Sequence, residues 1–156
     1  MVTLVPMSAA AWTTWRAATV SGYAQDNVRI GAWPAEGAEA RAAADLVRIL
    51  PEGQATPGHS FRSVVNDEGA TVGSLWFAPN APSHRRAIFI WDIVIHPSFR
   101  GQGYGRATLD ALEPIARSLG YTEIELHVFG DNDVARNLYR SAGFVETNVS
   151  MVKHLG

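Results

Sequence analysis

The 156-residue chain contains no cysteine. A disulfide framework, a thiolate metal site and a thiol nucleophile are thereby excluded. Long hydrophobic runs are also missing: nothing approaches the ~18 apolar residues of a membrane span. The opening MVTLVPMSAAAWTTWR has neither the basic start nor the apolar core of a secretory leader. A cytoplasmic protein is expected, without a membrane partner. Charge of one sign is scarce, since 13 basic and 15 acidic residues leave a net −2. That gives no electrostatic case for nucleic acid. The five histidines form no metal-ligand spacing, so no metal is expected. There is no internal repeat, and the length suits one domain over residues 1–156 with a real core.

Apolar periodicity and turn residues divide the chain as follows. Met1 to Met7 reads as a strand. Ser8 caps a helix reaching about Gln25, with Trp12, Trp15 and Ala18 on one face. Gly31 to Gly37 is a turn, and Glu39 to Leu50 is a second helix closed by Pro51. Phe61–Val65 and Thr71–Phe77 form a hairpin around Asn66-Asp67-Glu68-Gly69. Ala78 to Arg86 is a loop. A last strand is expected near Thr147 to Lys153. Strands before and between helices make this a mixed α/β sheet.

The stretch FIWDIVIHPSFRGQGYGRATLDAL, Phe89 to Leu112, carries the most information. Its β-branched run is a buried strand that stops at His96-Pro97. Arg100, Gly101, Gly103 and Gly105 follow, and then a helical pattern. A strand passing through glycines into a helix N-terminus presents unpaired N–H groups to an anion. The spacing is neither G-x-G-x-x-G nor G-x-x-x-x-G-K-[ST]. On these residues alone a ligand-free glycine turn is the alternative. Pro114 falls inside the helix and predicts a kink, with Leu112, Ile115, Ala116 and Leu119 still on one face.

Further on, IELHVFGDNDVARNLYRSAGF alternates Ile124, Leu126 and Val128 with Glu125 and His127, as a strand does. Asp131-Asn132 then caps a helix carrying Val134, Ala135, Leu138 and Tyr139, ended by Gly143. Arg100-x-x-Gly103-x-Gly105, Asn132-x-x-Ala135-x-x-Leu138-Tyr139 and Gly143-Phe144, in this order, resemble the GCN5-related N-acetyltransferase (GNAT) superfamily. The resemblance is close from Ile88 to about Lys153. It implies the GNAT fold: a mixed, mostly antiparallel sheet flanked by helices, its central strands splayed to admit the cofactor.

The resemblance also implies acetyl-coenzyme A as the acyl donor. Its pyrophosphate would lie on the backbone N–H groups from Gly101 through Gln102, Gly103, Tyr104 and Gly105 to Arg106, beside Arg100. Its pantetheine arm would pair with the backbone of Ile93 and Ile95, with Val94 between them. Asn132 would face the same cleft. Tyr139 matches the tyrosine usually set near the cofactor sulfur, where a phenol with a pKa near ~10 donates a proton to the leaving thiolate; the alternative is a packing residue.

For the base, His127 is the first candidate, as an imidazole suits proton abstraction near neutrality; otherwise it is a core or edge histidine satisfied by a backbone carbonyl. Asp92 is the second. A carboxylate within an apolar run is a base acting through water, an anchor for the substrate ammonium, or a paired structural charge. Trp33, Trp76, Trp91 and Tyr23 suit an apolar or cation-accepting cleft, although most tryptophans are core. The implied activity is transfer of acetyl to a primary amine of a small molecule or peptide N-terminus by direct attack. A non-catalytic acyl-coenzyme A binding module is the alternative. A homodimer is compatible with either.

Overall fold

The computed structural model describes residues 1–80 and 84–156. Its elements run β1 (Val2–Pro6), α1 (Ala9–Arg29), α2 (Ala38–Ile49), β2 (Ser60–Asn66), β3 (Thr71–Pro79), β4 (Ala87–Ile95), α3 (Tyr104–Ser118), β5 (Glu123–Leu126) and α4 (Asp133–Ser141). The five strands form one sheet in chain order, β1-β2-β3-β4-β5. The first four are antiparallel and β5 runs parallel to β4. Parallel neighbours need a crossover, and α3 supplies it.

Side-chain alternation sorts β3 between two cores. Leu75 and Phe77 face Leu109, Leu112 and Ala116 of α3. Trp76, with Phe61 of β2, faces Trp15 of α1 and Leu46 of α2. At the hairpin, Asn66 Oδ1 accepts from the N–H groups of Glu68 and Ala70, while Gly69 takes φ 83°. Only a left-handed residue closes such a turn cheaply, which fits glycine.

Several expectations are corrected. Helix α1 runs four residues past Gln25, because a continuous buried stripe of Trp15 and Ala24, flanked by half-buried Val20 and Val28, keeps paying for helix. Ala18 lies off that stripe and is exposed. The loop expected from Ala78 begins later, since β3 continues to Pro79 against Ile88; its residues 81–83 lie outside the described ones. Helix α3 continues through Pro114 as one element, although Leu119, its C-cap, is exposed rather than on the buried face. Val134 is likewise exposed on α4. The strand expected over Ile124–Val128 stops at Leu126. No strand forms over Thr147–Lys153, and every residue from Val145 to Gly156 is exposed. A strand needs a partner edge, and this segment meets none within the described residues.

Candidate active site

The site grows from a mismatch between β4 and its two neighbours. On one side, β3 pairs with β4 from Pro79↔Ile88 to Gly73↔Ile95. On the other, β5 pairs only from Ala87↔Glu123 to Ile90↔Leu126. From Trp91 to Ile95 the second edge of β4 is therefore open. The amide of His96 bonds the Val72 carbonyl. Antiparallel alternation then turns the N–H and C=O of Ile93 and Ile95 toward the open edge. Arg100 Nε donates to the Ile95 carbonyl at 2.9 Å, which occupies that acceptor.

The opening coincides with a β-bulge. Trp76 pairs with Asp92 and Phe77 with Ile90, leaving Trp91 as the extra residue. One added residue reverses the facing of all that follow. Ile88 and Ile90 before it and Ile93 after it accordingly share the α3 core, while Asp92 is turned to the α1 side. There its Oδ2 accepts from Trp15 Nε1 at 3.0 Å. Trp91 stacks on Trp76 with ring centres 5.0 Å apart, yet remains 42 % exposed. Burial pushes the Asp92 carboxyl above its ordinary range; the Trp15 hydrogen bond opposes that rise and the nearby Asp26 charge adds to it.

Beyond β4, a short 3₁₀ turn, Pro97–Phe99, leads to Gly101 and Gly103, with φ of 73° and 85°. Gly103 is the N-cap of α3. Among the described residues, the backbone N–H groups from Gly101 through Gln102, Gly103, Tyr104 and Gly105 to Arg106 bond no protein acceptor. Six such donors at the positive end of a 15-residue helix form an anion cradle. The side chains have other duties. Gln102 Nε2 bonds the Ser98 carbonyl, and the Tyr104 hydroxyl accepts from Asn66 Nδ2. Arg106 bonds Asp110 and the Ser141 carbonyl, tying α3 to α4. Gly105 serves packing, because a Cβ there would lie 2.9 Å from Leu138 Cδ2.

Helix α4 completes the site. Asn132 Oδ1 accepts from the Ala135 N–H at 3.2 Å, so this side chain is an N-cap, the role expected of an asparagine preceding a helix. Tyr139 is half-buried against the α3 core, with Phe144 beside it at 5.7 Å. Burial raises its pKa, and the Asp92 charge raises it further. His127, expected within a strand, lies in the exposed loop after β5. Its ring meets Phe129 edge-on at 5.4 Å.

The match to known proteins agrees with this geometry. Residues 23–144 match the model of the acetyltransferase (GNAT) family. The uncharacterized N-acetyltransferase YycN of Bacillus subtilis (strain 168) is 35 % identical over 154 residues, 99 % of each chain. Its crystal structure superposes with a TM-score of 0.92, again covering 99 % of both. The chain belongs to the GNAT acetyltransferase family. AAC(6')-Iy, solved with the bisubstrate analogue CoA-S-monomethyl-acetylneamine, superposes with a TM-score of 0.62 over 100 % of this chain and 99 % of its own. At 19 % identity that likeness speaks to the fold alone.

In this GNAT acetyltransferase the structure adds residues the spacing did not reveal. Trp15 comes from α1, 77 positions before the carboxylate it holds. Trp76 Nε1 donates to His59 Nδ1 at 2.9 Å, which places the neutral ring's proton on Nε2; burial lowers the His59 pKa and favours that neutral form. Arg29, at the end of α1, pairs with Asp131 and lies over the Phe129 ring, pinning the loop after β5. No periodic signal links such residues, since each comes from a different element. Conversely, Tyr23 and Trp33 leave the expected aromatic cleft: they pack on each other, with Arg41 over Trp33. Among the described residues, no three His, Asp or Glu side chains converge on a metal position, and no helix is long and apolar enough to cross a membrane.

Proposed function

We propose that this acetyltransferase uses acetyl-coenzyme A to acetylate a primary amine of a small molecule or a peptide N-terminus, by direct attack. The carrying observation is the open edge of β4 over Trp91–Ile95, running directly into six unpartnered N–H groups at the start of α3. A phosphorylated ligand with an amide-bearing arm fits that pairing of an anion cradle with a free strand edge. When bound, acetyl-coenzyme A supplies a thioester whose carbonyl accepts the amine and whose thiolate departs.

The chain's own groups then have distinct work. Gly101 to Arg106 hold phosphate oxygens through backbone N–H groups, with no Cβ at Gly101 or Gly103 in the way. Ile93, with both backbone groups free, and Ile95, with its N–H, pair with the arm while Val94 holds β4 to β3. The same open N–H groups polarise the thioester carbonyl. Tyr139, kept protonated by its raised pKa, donates to the thiolate. Asp92, oriented by Trp15, receives or anchors the amine. His127 is the competing base, on the loop that the Arg29–Asp131 pair and the Arg136 bond to the Gly130 carbonyl hold. The exposed face of Trp91 beside Asp92 suits an ammonium-bearing acceptor, through cation–π attraction next to a carboxylate.

The test is thiol release from acetyl-coenzyme A across a panel of amines and peptide N-termini. Turnover with any amine is expected. Cofactor binding without turnover on any acceptor would instead make the chain a binding module.

A further inference from the structure

Trp76 is a hub on the α1 face of the sheet, and one group around it is left unused. Its ring stacks on Trp91 at 5.0 Å, and its backbone stands opposite Asp92 in the β3–β4 register. Its Nε1 donates to His59 Nδ1 at 2.9 Å. His59, just ahead of β2, thus lies beside Trp91, with ring centres 6.1 Å apart. A carboxylate, an exposed aromatic face and an imidazole are gathered around one indole.

The imidazole is only half used. A neutral imidazole offers one acceptor and one donor, on different edges of the ring. Nδ1 is the acceptor here, so Nε2 carries the proton and is directed away from the Trp76 indole nitrogen. That N–H bonds no described residue, and it is not sealed from solvent. Satisfying a buried indole N–H needs only an acceptor, which an oxygen would supply with no second nitrogen left over. Burial lowers the ring's pKa, so no second cation stands where an ammonium is to bind. The residue is also held in place. Its amide bonds the Thr56 carbonyl at 3.3 Å. Thr56 in turn ties its own loop, its hydroxyl donating to the Gly53 carbonyl and accepting from the Glu52 N–H. A donor fixed before the ligand arrives loses little freedom on binding it.

Resting on the reading above, in which Trp91 and Asp92 receive the ammonium, we propose that His59 selects the acetyl acceptor. Its Nε2–H donates to an oxygen carried next to the amine-bearing carbon, as in the first carbonyl of a peptide N-terminus or an aminoacyl amide. An alkylamine or polyamine offers its ammonium alone and leaves this donor without a partner. His59 does not touch the reacting atoms. Its bond forms on binding and persists through attack, so its contribution falls on KM.

The test is thiol release from acetyl-coenzyme A with matched amines: glycinamide against propargylamine, and alaninamide against 1-methylpropargylamine. The alkyne lowers the amine pKa much as the carboxamide does, so both members of a pair ionise alike while only one carries the oxygen. The wild type should favour the carboxamide by about 10-fold in kcat/KM, carried by KM. His59→Asn sets an oxygen as many bonds from Cβ as Nδ1 is, so Trp76 keeps its acceptor while the donor is lost. The preference should then disappear with the thermal midpoint retained. His59→Gln sets an amide N–H as many bonds from Cβ as Nε2 is, and should restore part of the preference. Equal kcat/KM within each pair for the wild type would overturn the proposal, as would an Asn variant that keeps the preference, even at lower rates. Either result leaves amine acetylation standing. No thiol release with any amine would instead defeat the reading beneath the proposal, and the proposal with it.

Discussion

At Tyr139 and Asp92, burial raises the pKa of two acidic groups, and it does so for different ends. The phenol is held neutral by burial first and by the Asp92 charge second. Tyr139→Phe should keep acetyl-coenzyme A affinity in calorimetry while kcat falls by about 100-fold, the lower end of general-acid contributions. Unchanged kcat would reduce the residue to packing. Asp92 is raised by burial, so its folded form binds a proton more tightly than the unfolded chain does. The stability this confers is full below the unfolded pKa, near ~4, and is lost as pH rises through the folded value. Asp92→Asn carries no such loss. Thermal midpoints of the two proteins, compared from pH ~4 upward, should therefore diverge in favour of the variant as pH increases. In kinetics, the same substitution should cost more kcat/KM than His127→Ala if the carboxylate, and not the loop imidazole, takes the amine proton. The opposite ranking would return the role to His127.

At the scale of elements, the two helix starts that frame the site are built differently. Helix α4 is capped by a side chain, Asn132, whereas α3 begins at Gly103 with no side-chain cap. Asn132→Ala should cost about 1 kcal/mol, read as a drop of about 2–4 °C in the thermal midpoint for a chain of this size. At α3 the missing cap leaves the amides available to a ligand. Two alanine substitutions separate backbone strain from packing there. Gly103→Ala meets open space and carries only the left-handed strain of about 1–2 kcal/mol. It should also weaken cofactor binding, because the new Cβ stands at the cradle. Gly105→Ala forces Leu138 aside and costs about 1–3 kcal/mol through overpacking. Its effect should appear in denaturant midpoint before it appears in affinity. Equal effects of the two on affinity would argue that the α3–α4 contact, not the N–H row, holds the cofactor.

For the molecule as a whole, the decisive arrangement is a sheet held firmly on one side of β4 and released on the other. Gly73 lies where the firm side is tightest: a Cβ there would run into the Val94 carbonyl oxygen and crowd Ile95. Backbone cannot yield as a flexible side chain can, so Gly73→Val should be among the most destabilising single changes. A loss beyond ~4 kcal/mol would place it in the exceptional class, and equilibrium denaturation with a near-normal midpoint would contradict the packing described here. The sequence by itself determined much of the scaffold. Hydrophobic periodicity marked the helices and most strands, the Asn66–Gly69 turn marked its hairpin, and Arg100 to Gly105 announced a helix start with spare amides. These signals are local, written in neighbouring residues. Only the tertiary structure decided what lies between elements. The bulge at Trp91 arises from pairing with β3, and it alone turns Asp92 to Trp15. The parting of β5 from β4 after Leu126 leaves His127 in a loop, although its alternation reads as strand. The segment after α4 alternates apolar and polar residues from Val145 to Met151 as a strand does and remains unpaired among the described residues, because a strand exists only where an edge meets it, and no residue pattern supplies that edge.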